Sequence, residues 1–218
     1  VQRQLLQVQR QLLQVQRQLL QVQRQPQRLL LRQRAQHQAQ RVKMGLFLLN
    51  GERPDLILSG INHGSNVSTN ILYSGTMSAA VEGALAGIPS VGYSLTDYSE
   101  DADFDYSMKV VRLISKKVIN EGLKLGTCLN VNIPNVKEDK IKGIKVCRQG
   151  KAFWDDTFDH RKDPLGKDYY WLTGSFGSKE PAPDTDINYL ENNYVTIVPT
   201  QYDSTCHDSV EELKKWKL

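Results

Sequence analysis

The segment Ser59-Gly-Ile-Asn-His-Gly-Ser-Asn66, followed by Tyr73-Ser-Gly-Thr-Met77, gathers the residues best suited to chemistry. Asn62 and Asn66 offer neutral carbonyl oxygens, which suit a hard cation such as Mg²⁺ or Mn²⁺. Gly60 and Gly64 permit close approach of the backbone to a ligand. Ser74, Gly75 and Thr76 open a helix, with hydroxyls and free N–H groups facing outward. Such a terminus binds phosphate without a lysine. His63 could contact phosphate or act as a general acid, and an ordinary loop histidine fits equally. A plain turn with an N-cap also accounts for the whole stretch. No P-loop, G-x-G-x-x-G or G-x-S-x-G motif is present. Asn66-Val67-Ser68 spells a glycosylation acceptor, which carries little weight without a secretion signal.

To act on a ligand, this loop must stand at the carboxyl end of a parallel strand. The surrounding sequence predicts that placement. Val42–Asn50 reads as helix, with Val42, Leu46 and Leu49 on one side. Pro54 introduces a short apolar strand, Asp55–Ser59, and Gly60–Ser74 reads as loop. Gly75–Gly87 is a helix of small residues, with Met77, Ala80, Val81, Ala84 and Leu85 expected to face inward. Ile88–Leu95 is the next strand. Tyr106–Glu121 is an amphipathic helix with Met108, Val111, Ile114 and Ile119 inward. Cys128–Ile133 and Ile144–Gln149 are further strands, Tyr194–Pro199 a last strand and Asp208–Trp216 a last helix. Strands alternating with helices predict an α/β fold with a mainly parallel sheet. Between residues 150 and 193, aromatic residues scattered through a Gly/Pro-punctuated stretch predict β-hairpins or an arm that packs on a partner.

Charge is segregated along the chain. Residues 1–41 carry eight Arg and no Asp, Glu, Ser or Gly, so the remainder holds 20 basic against 24 acidic residues despite the overall charge of +4. The body therefore gives no electrostatic case for nucleic-acid binding; only residues 1–41 could supply one. The first segment repeats Val-Gln-Arg-Gln-Leu-Leu-Gln at 1–7, 8–14 and 15–21. Its three-and-four spacing of apolar residues predicts a helix up to Gln25, ended or kinked by Pro26. A dimerising coiled coil, an Arg-rich arm, a low-complexity tail and a short tandem DNA repeat or shifted reading frame all fit this segment. Three cysteines at no metal-ligand spacing, no apolar run of about 18 residues and no signal peptide predict free thiols in a cytoplasmic, non-membrane protein.

The motifs from Pro54 to Asn66, Tyr73-Ser-Gly-Thr-Met-Ser-Ala-Ala-Val-Glu-Gly83 and Gly87-Ile-Pro-Ser90 resemble the central signature of the SurE family (stationary-phase survival protein). Leu129-Asn-Val-Asn-Ile-Pro134, Asp163-Pro-Leu-Gly166, Asp184-Thr-Asp186 and Tyr194-Val-Thr-Ile-Val-Pro199 resemble its later segments. The resemblance runs from about residue 42 to the end. It implies a Rossmann-like domain over 42–218, with residues 150–193 as an arm exchanged in a homodimer or homotetramer, and 1–41 as an extension. It also implies a metal-dependent hydrolase, a phosphomonoesterase acting on nucleoside 5′- and 3′-monophosphates and on short polyphosphate. By the same resemblance Asn62 would be a ligand of the divalent cation, Mg²⁺ or Mn²⁺. Asn66, Ser74, Gly75 and Thr76 would line the phosphate site.

The family's metal also rests on two adjacent aspartates after its first strand and on a serine, and residues 1–41 contain none of these residue types. A Mg²⁺ site normally needs one or two carboxylates. The expectation is therefore a nucleotidase scaffold whose catalytic residues are unidentified and whose activity is impaired. The alternative is a non-catalytic oligomerisation or phosphate-binding protein with a coiled-coil or basic arm.

Overall fold

The computed structural model describes residues 30–177 and 182–216. The chain divides into two compact units at Leu31/Arg32. The first lies almost wholly outside the described residues, and with it the heptad helix and the Pro26 break. The second unit carries the fold.

Helix α1 spans Leu30–Leu48, and Lys43 reaches Glu82 at 3.5 Å. Strand β1 (Ile57–His63) follows, then a 3-10 turn at Ser68–Tyr73, helix α2 (Gly75–Leu85) and strand β2 (Ser90–Leu95). Helix α3 (Asp105–Glu121) and strand β3 (Thr127–Ile133) complete a repeated crossover pattern. Strand β4 (Ile144–Val146) is short. Strands β5 (Phe153–Lys162) and β6 (Asp168–Gly177) form a hairpin. Helix α4 (Asp186–Glu191), strand β7 (Val195–Gln201) and helix α5 (His207–Leu213) close the chain.

One five-stranded sheet runs in the order β1-β2-β3-β7-β4. β1, β2 and β3 are mutually parallel, β7 runs antiparallel to β3, and β4 pairs parallel with β7. The expected α/β architecture with a mainly parallel sheet is thus the observed one. The apolar run Ser90-Val-Gly-Tyr-Ser-Leu95 is buried at every residue because both faces of β2 are covered. α2 lies on one face. Its small residues Ala79, Ala80, Gly83 and Ala84 are buried with Met77, letting the helix axis come close to the strands. α3 covers the other face with Val110, Val111, Ile114 and Val118, and Ser115 meets the Tyr93 hydroxyl at 3.0 Å.

Several sequence expectations are corrected. The strand expected at Asp55–Ser59 is β1, displaced to Ile57–His63, so Asn62 belongs to a strand and not to the loop. Its parallel pairing with β2, from Ile57↔Ser90 to His63↔Leu95, extends it through the glycine. Leu85 and Ile119, expected inward, are exposed. Leu85 is the last residue of α2. Ile119 lies off the α3 face set by Ser107, Val110, Val111, Ile114, Ser115 and Val118, where two serines occupy inward places. The strand Ile144–Gln149 stops at Val146, after which Arg148 makes a lone bridge with Thr185.

The β5–β6 hairpin is exposed along all of β5 and most of β6. Asp163 turns it, its carboxylate accepting from Leu165 N and Lys167 N, both at 2.9 Å.

Candidate functional site

β1 approaches its end through a kink. Gly60 has φ +113°, and a Cβ there would overlap the Tyr93 carbonyl oxygen, so only glycine lets β1 stay on β2. The pairing register shifts between Ser59 and Asn62. Asn62 emerges from this kink at the strand's carboxyl end. Its side-chain amide donates to the carbonyls of His63 and Gly64, both at 2.9 Å, and among the described residues no group donates to its Oδ1. One oriented carbonyl oxygen is therefore available to a ligand.

Asn66 is placed differently. It is buried, 6% exposed, and its side chain turns inward to donate to Ser94 Oγ at 2.7 Å. Its backbone N–H donates to Asn132 Oδ1 (2.7 Å), and its carbonyl accepts from Asn130 Nδ2 (2.8 Å). Asn132 Nδ2 in turn donates to Asn130 Oδ1 at 3.1 Å. This uncharged, fully buried network holds the loop over the ends of β2 and β3. Partnered polar groups of this kind specify one geometry, because leaving any of them unpaired is costly.

The next stretch is fastened by Asp186, which is fully buried. Its carboxylate accepts from the backbone N–H groups of Ser68, Gly150 and Ile187, each at 2.8 Å. Thr69 Oγ1 donates to the Ala152 carbonyl at 2.7 Å, and Trp154 Nε1 donates to Asn70 Oδ1 at 3.0 Å. The root of the hairpin and the loop before α2 are thus tied together. The sequence marked Asp184-Thr-Asp186 as a motif but revealed no role for Asp186, because its partners lie 36 and 118 residues away.

α2 then begins at Gly75. Ser74 is its N-cap, its hydroxyl oxygen accepting from Met77 N at 3.1 Å. The N–H groups of Gly75 and Thr76 fall in the first turn, where no intrahelical acceptor exists. They and the Ser74 hydroxyl form an uncharged donor set of the kind that holds an anion at a helix N-terminus. Asn62 stands near the carboxyl end of β1, Thr76 packs over Gly92 of the neighbouring β2, and Asn66 is buried against Ser94, Asn130 and Asn132.

His63 is exposed and packs edge-on against Phe104, with ring centroids 5.2 Å apart. The residues present do not fit a resident divalent cation by themselves. Asn62 supplies a single neutral oxygen, and among the described residues no cluster of three His, Cys, Asp or Glu side chains could hold a metal ion. A hard divalent ion needs carboxylate charge to offset its dehydration.

Comparison with known proteins fixes the lineage. A family profile described as "Survival protein SurE" matches residues 15–156. The chain is 52% identical over 177 residues to a protein named 5′-nucleotidase SurE from Christiangramia forsetii, covering 81% of this chain and 68% of that one. Its identity to the protein of the same name from Flavobacterium psychrophilum is 49%, over 81% of this chain and 69% of that one. The solved structure of the SurE protein from Aquifex aeolicus superposes with a TM-score of 0.70 at 40% identity, covering 81% of this chain and 71% of that one. The chain belongs to the SurE family.

Proposed function

We propose that this protein is a SurE-type phosphomonoesterase scaffold that binds nucleoside monophosphates but, as this polypeptide, hydrolyses them poorly or not at all. The observation that carries the reading is the pairing of an intact anion-binding turn, Ser74-Gly75-Thr76, with a single neutral metal donor, Asn62. The relatives named 5′-nucleotidase SurE supply the substrate class and the hydrolase chemistry. The turn would hold the phosphate through its free amides. Asn62 would present Oδ1 toward a metal whose carboxylate ligands are lacking in residues 1–41. Without that charge, neither a bound Mg²⁺ or Mn²⁺ nor a metal-activated water follows from these residues.

The remaining assignments belong to the same reading. Residues 1–41, which hold no Asp, Glu, Ser or Gly, are an extension to the SurE-like domain. The exposed β5–β6 hairpin is an oligomerisation arm, since a two-stranded ribbon is marginal alone and this one shows its aromatic residues to solvent. Among the described residues no helix is long and apolar enough to cross a membrane, in keeping with a cytoplasmic protein.

The test is direct. The purified chain is assayed for release of phosphate from AMP and p-nitrophenyl phosphate with Mn²⁺, and for AMP binding with and without EDTA. Binding that survives EDTA, with turnover far below that of an active relative, is expected. Turnover at the relative's rate overturns the reading of impairment; absence of any phosphate binding overturns the role given to the turn.

A further inference from the structure

The segments that follow β1, β2 and β3 meet around one aromatic ring. The loop after β2 runs Asp97-Tyr98-Ser99, and Tyr98 is 76% exposed. The phenol end of its ring nonetheless lies directly over Gly64. Any Cβ at residue 64 would overlap it, so the glycine that turns the chain after β1 also seats the ring. One side of the ring is therefore supported by backbone, and the ring remains largely open to solvent.

The seat is held from several directions. Gly64 N donates to the Asp97 carbonyl at 2.9 Å, joining the loops that follow β1 and β2. Asp97 Oδ1 accepts from Ser99 N at 2.8 Å and from Ser99 Oγ at 2.7 Å. Its Oδ2 accepts from Asn135 Nδ2 at 2.9 Å, which adds the end of β3. The Ser99 hydroxyl first, and then the Ser99 N–H, hold the Asp97 carboxyl below the usual carboxylate range. At the end of β1, next to Gly64, His63 packs against Phe104. A ring held by preorganised loops can receive a flat ligand without first losing loop entropy.

Its place relative to the turn also fits. Thr76 packs over Gly92, its γ-methyl 3.5 Å from where a Cβ would stand. His63 pairs with Leu95, three residues further along β2, or roughly 10 Å at the rise of a strand. That span matches the reach of a nucleotide from phosphate to base.

We propose that Tyr98, seated on Gly64, is the stacking shelf for the base of a nucleoside monophosphate whose phosphate lies at the Ser74–Thr76 turn. The assignment rests on the nucleotide reading of that turn. Stacking on an aromatic face tolerates every base, so the shelf favours nucleosides over bare sugar phosphates and purines over pyrimidines by area, with no readout of base edges.

Saturation-transfer NMR and calorimetry on the full chain test this with AMP, adenosine and ribose 5-phosphate. AMP is expected to bind at least about fivefold more tightly than ribose 5-phosphate, the low end of what base–aromatic stacking contributes. Saturation should be strongest on the adenine protons. Tyr98→Ala should bring AMP down to the ribose 5-phosphate level, while Tyr98→Phe retains the preference. Equal binding of AMP and ribose 5-phosphate, unchanged in Tyr98→Ala, overturns the shelf and leaves the phosphate turn standing. Adenosine binding lost in Tyr98→Ala, without ribose 5-phosphate binding, supports the shelf and refutes the turn. No binding of any of the three refutes both.

Discussion

Asp186→Ala is the perturbation whose size follows most directly from the geometry. The Asp186 carboxylate accepts three buried backbone N–H bonds at 2.8 Å, from Ser68, Gly150 and Ile187, with a weaker one from Ser68 Oγ at 3.4 Å. A hydrogen bond to a charged group contributes about 1.5–3 kcal/mol net, and removing the acceptor leaves the donors buried and unmet. These terms are not additive, since the three donors share one carboxylate. Leaving buried N–H donors unmet costs roughly 1–3 kcal/mol each, so about 4 kcal/mol is expected for the set. Set against a usual stability of roughly 5–15 kcal/mol, this is a large share of the total. Urea unfolding followed by far-UV circular dichroism measures it. Ser68→Ala, which removes only the 3.4 Å contact of a buried hydroxyl, serves as control and should shift stability by about 1 kcal/mol at most. Should Asp186→Ala fail to fold, Asp186→Asn, which keeps one acceptor oxygen, should lose an intermediate amount. A loss below about 1 kcal/mol in Asp186→Ala, with an unchanged denaturant slope, refutes the claim that this carboxylate holds the loop and hairpin root together.

Gly60→Ala should destabilise by roughly 1–3 kcal/mol of backbone strain plus the overlap with the Tyr93 carbonyl, read as a lower urea midpoint. Ser74→Ala removes the N-cap of α2 and should cost about 1 kcal/mol in the same assay, while weakening phosphate binding by calorimetry. Of the three thiols, Cys206 should react first with a disulfide reagent at pH 8. It is exposed, and the Ser209 hydroxyl holds its pKa down, whereas burial pushes Cys128 up to about 11 and Cys147 up to about 12. Mass mapping of the first-labelled peptide decides this. Asp97, Asp184 and Asp203 are each held below the ordinary carboxylate range, chiefly by Ser99, Arg148 and Thr205 respectively. Their ionised forms are favoured in the folded state, so their contribution is complete above the ordinary carboxylate pKa and is lost as pH falls through the lowered folded values. The urea midpoint should therefore decline modestly on acidification below about pH 4, all three groups being solvent-exposed.

Much of the fold was legible because its signals are local. The apolar runs at β1, β2 and β3 and the small-residue helix α2 declare themselves within a few residues. The errors fall where tertiary context decides. Ile119 reads as a core residue by type, yet α3 turns it outward, because Ser107 and Ser115 share the inward face with the valines. Asn62 reads as a loop residue after Gly60, yet pairing with β2 carries the strand through it. The candidate site was only half legible for the same reason. Ser74-Gly75-Thr76 forms its donor set alone, from the helix start that the sequence specifies. Asn66 reads as an open loop residue on paper, but three partners 28 to 66 residues away hold its backbone N–H, its backbone carbonyl and its side-chain NH2 group. The alternation Asn130-Val-Asn132 does mark one face of β3. Nothing in a linear string says that this face sits beneath residue 66.

The same contacts explain how the stretch between β1 and α2 keeps its shape. Asn66 is fastened from Ser94, Asn130 and Asn132, Ser68 from Asp186, Thr69 and Asn70 from Ala152 and Trp154, and the turn by its own N-cap. Every one of these fasteners comes from β1 or from sequence after it. The amides of Gly75 and Thr76 are placed by these bonds and by the Ser74 cap alone, so on the proposed function phosphate binding should survive removal of divalent cations by EDTA.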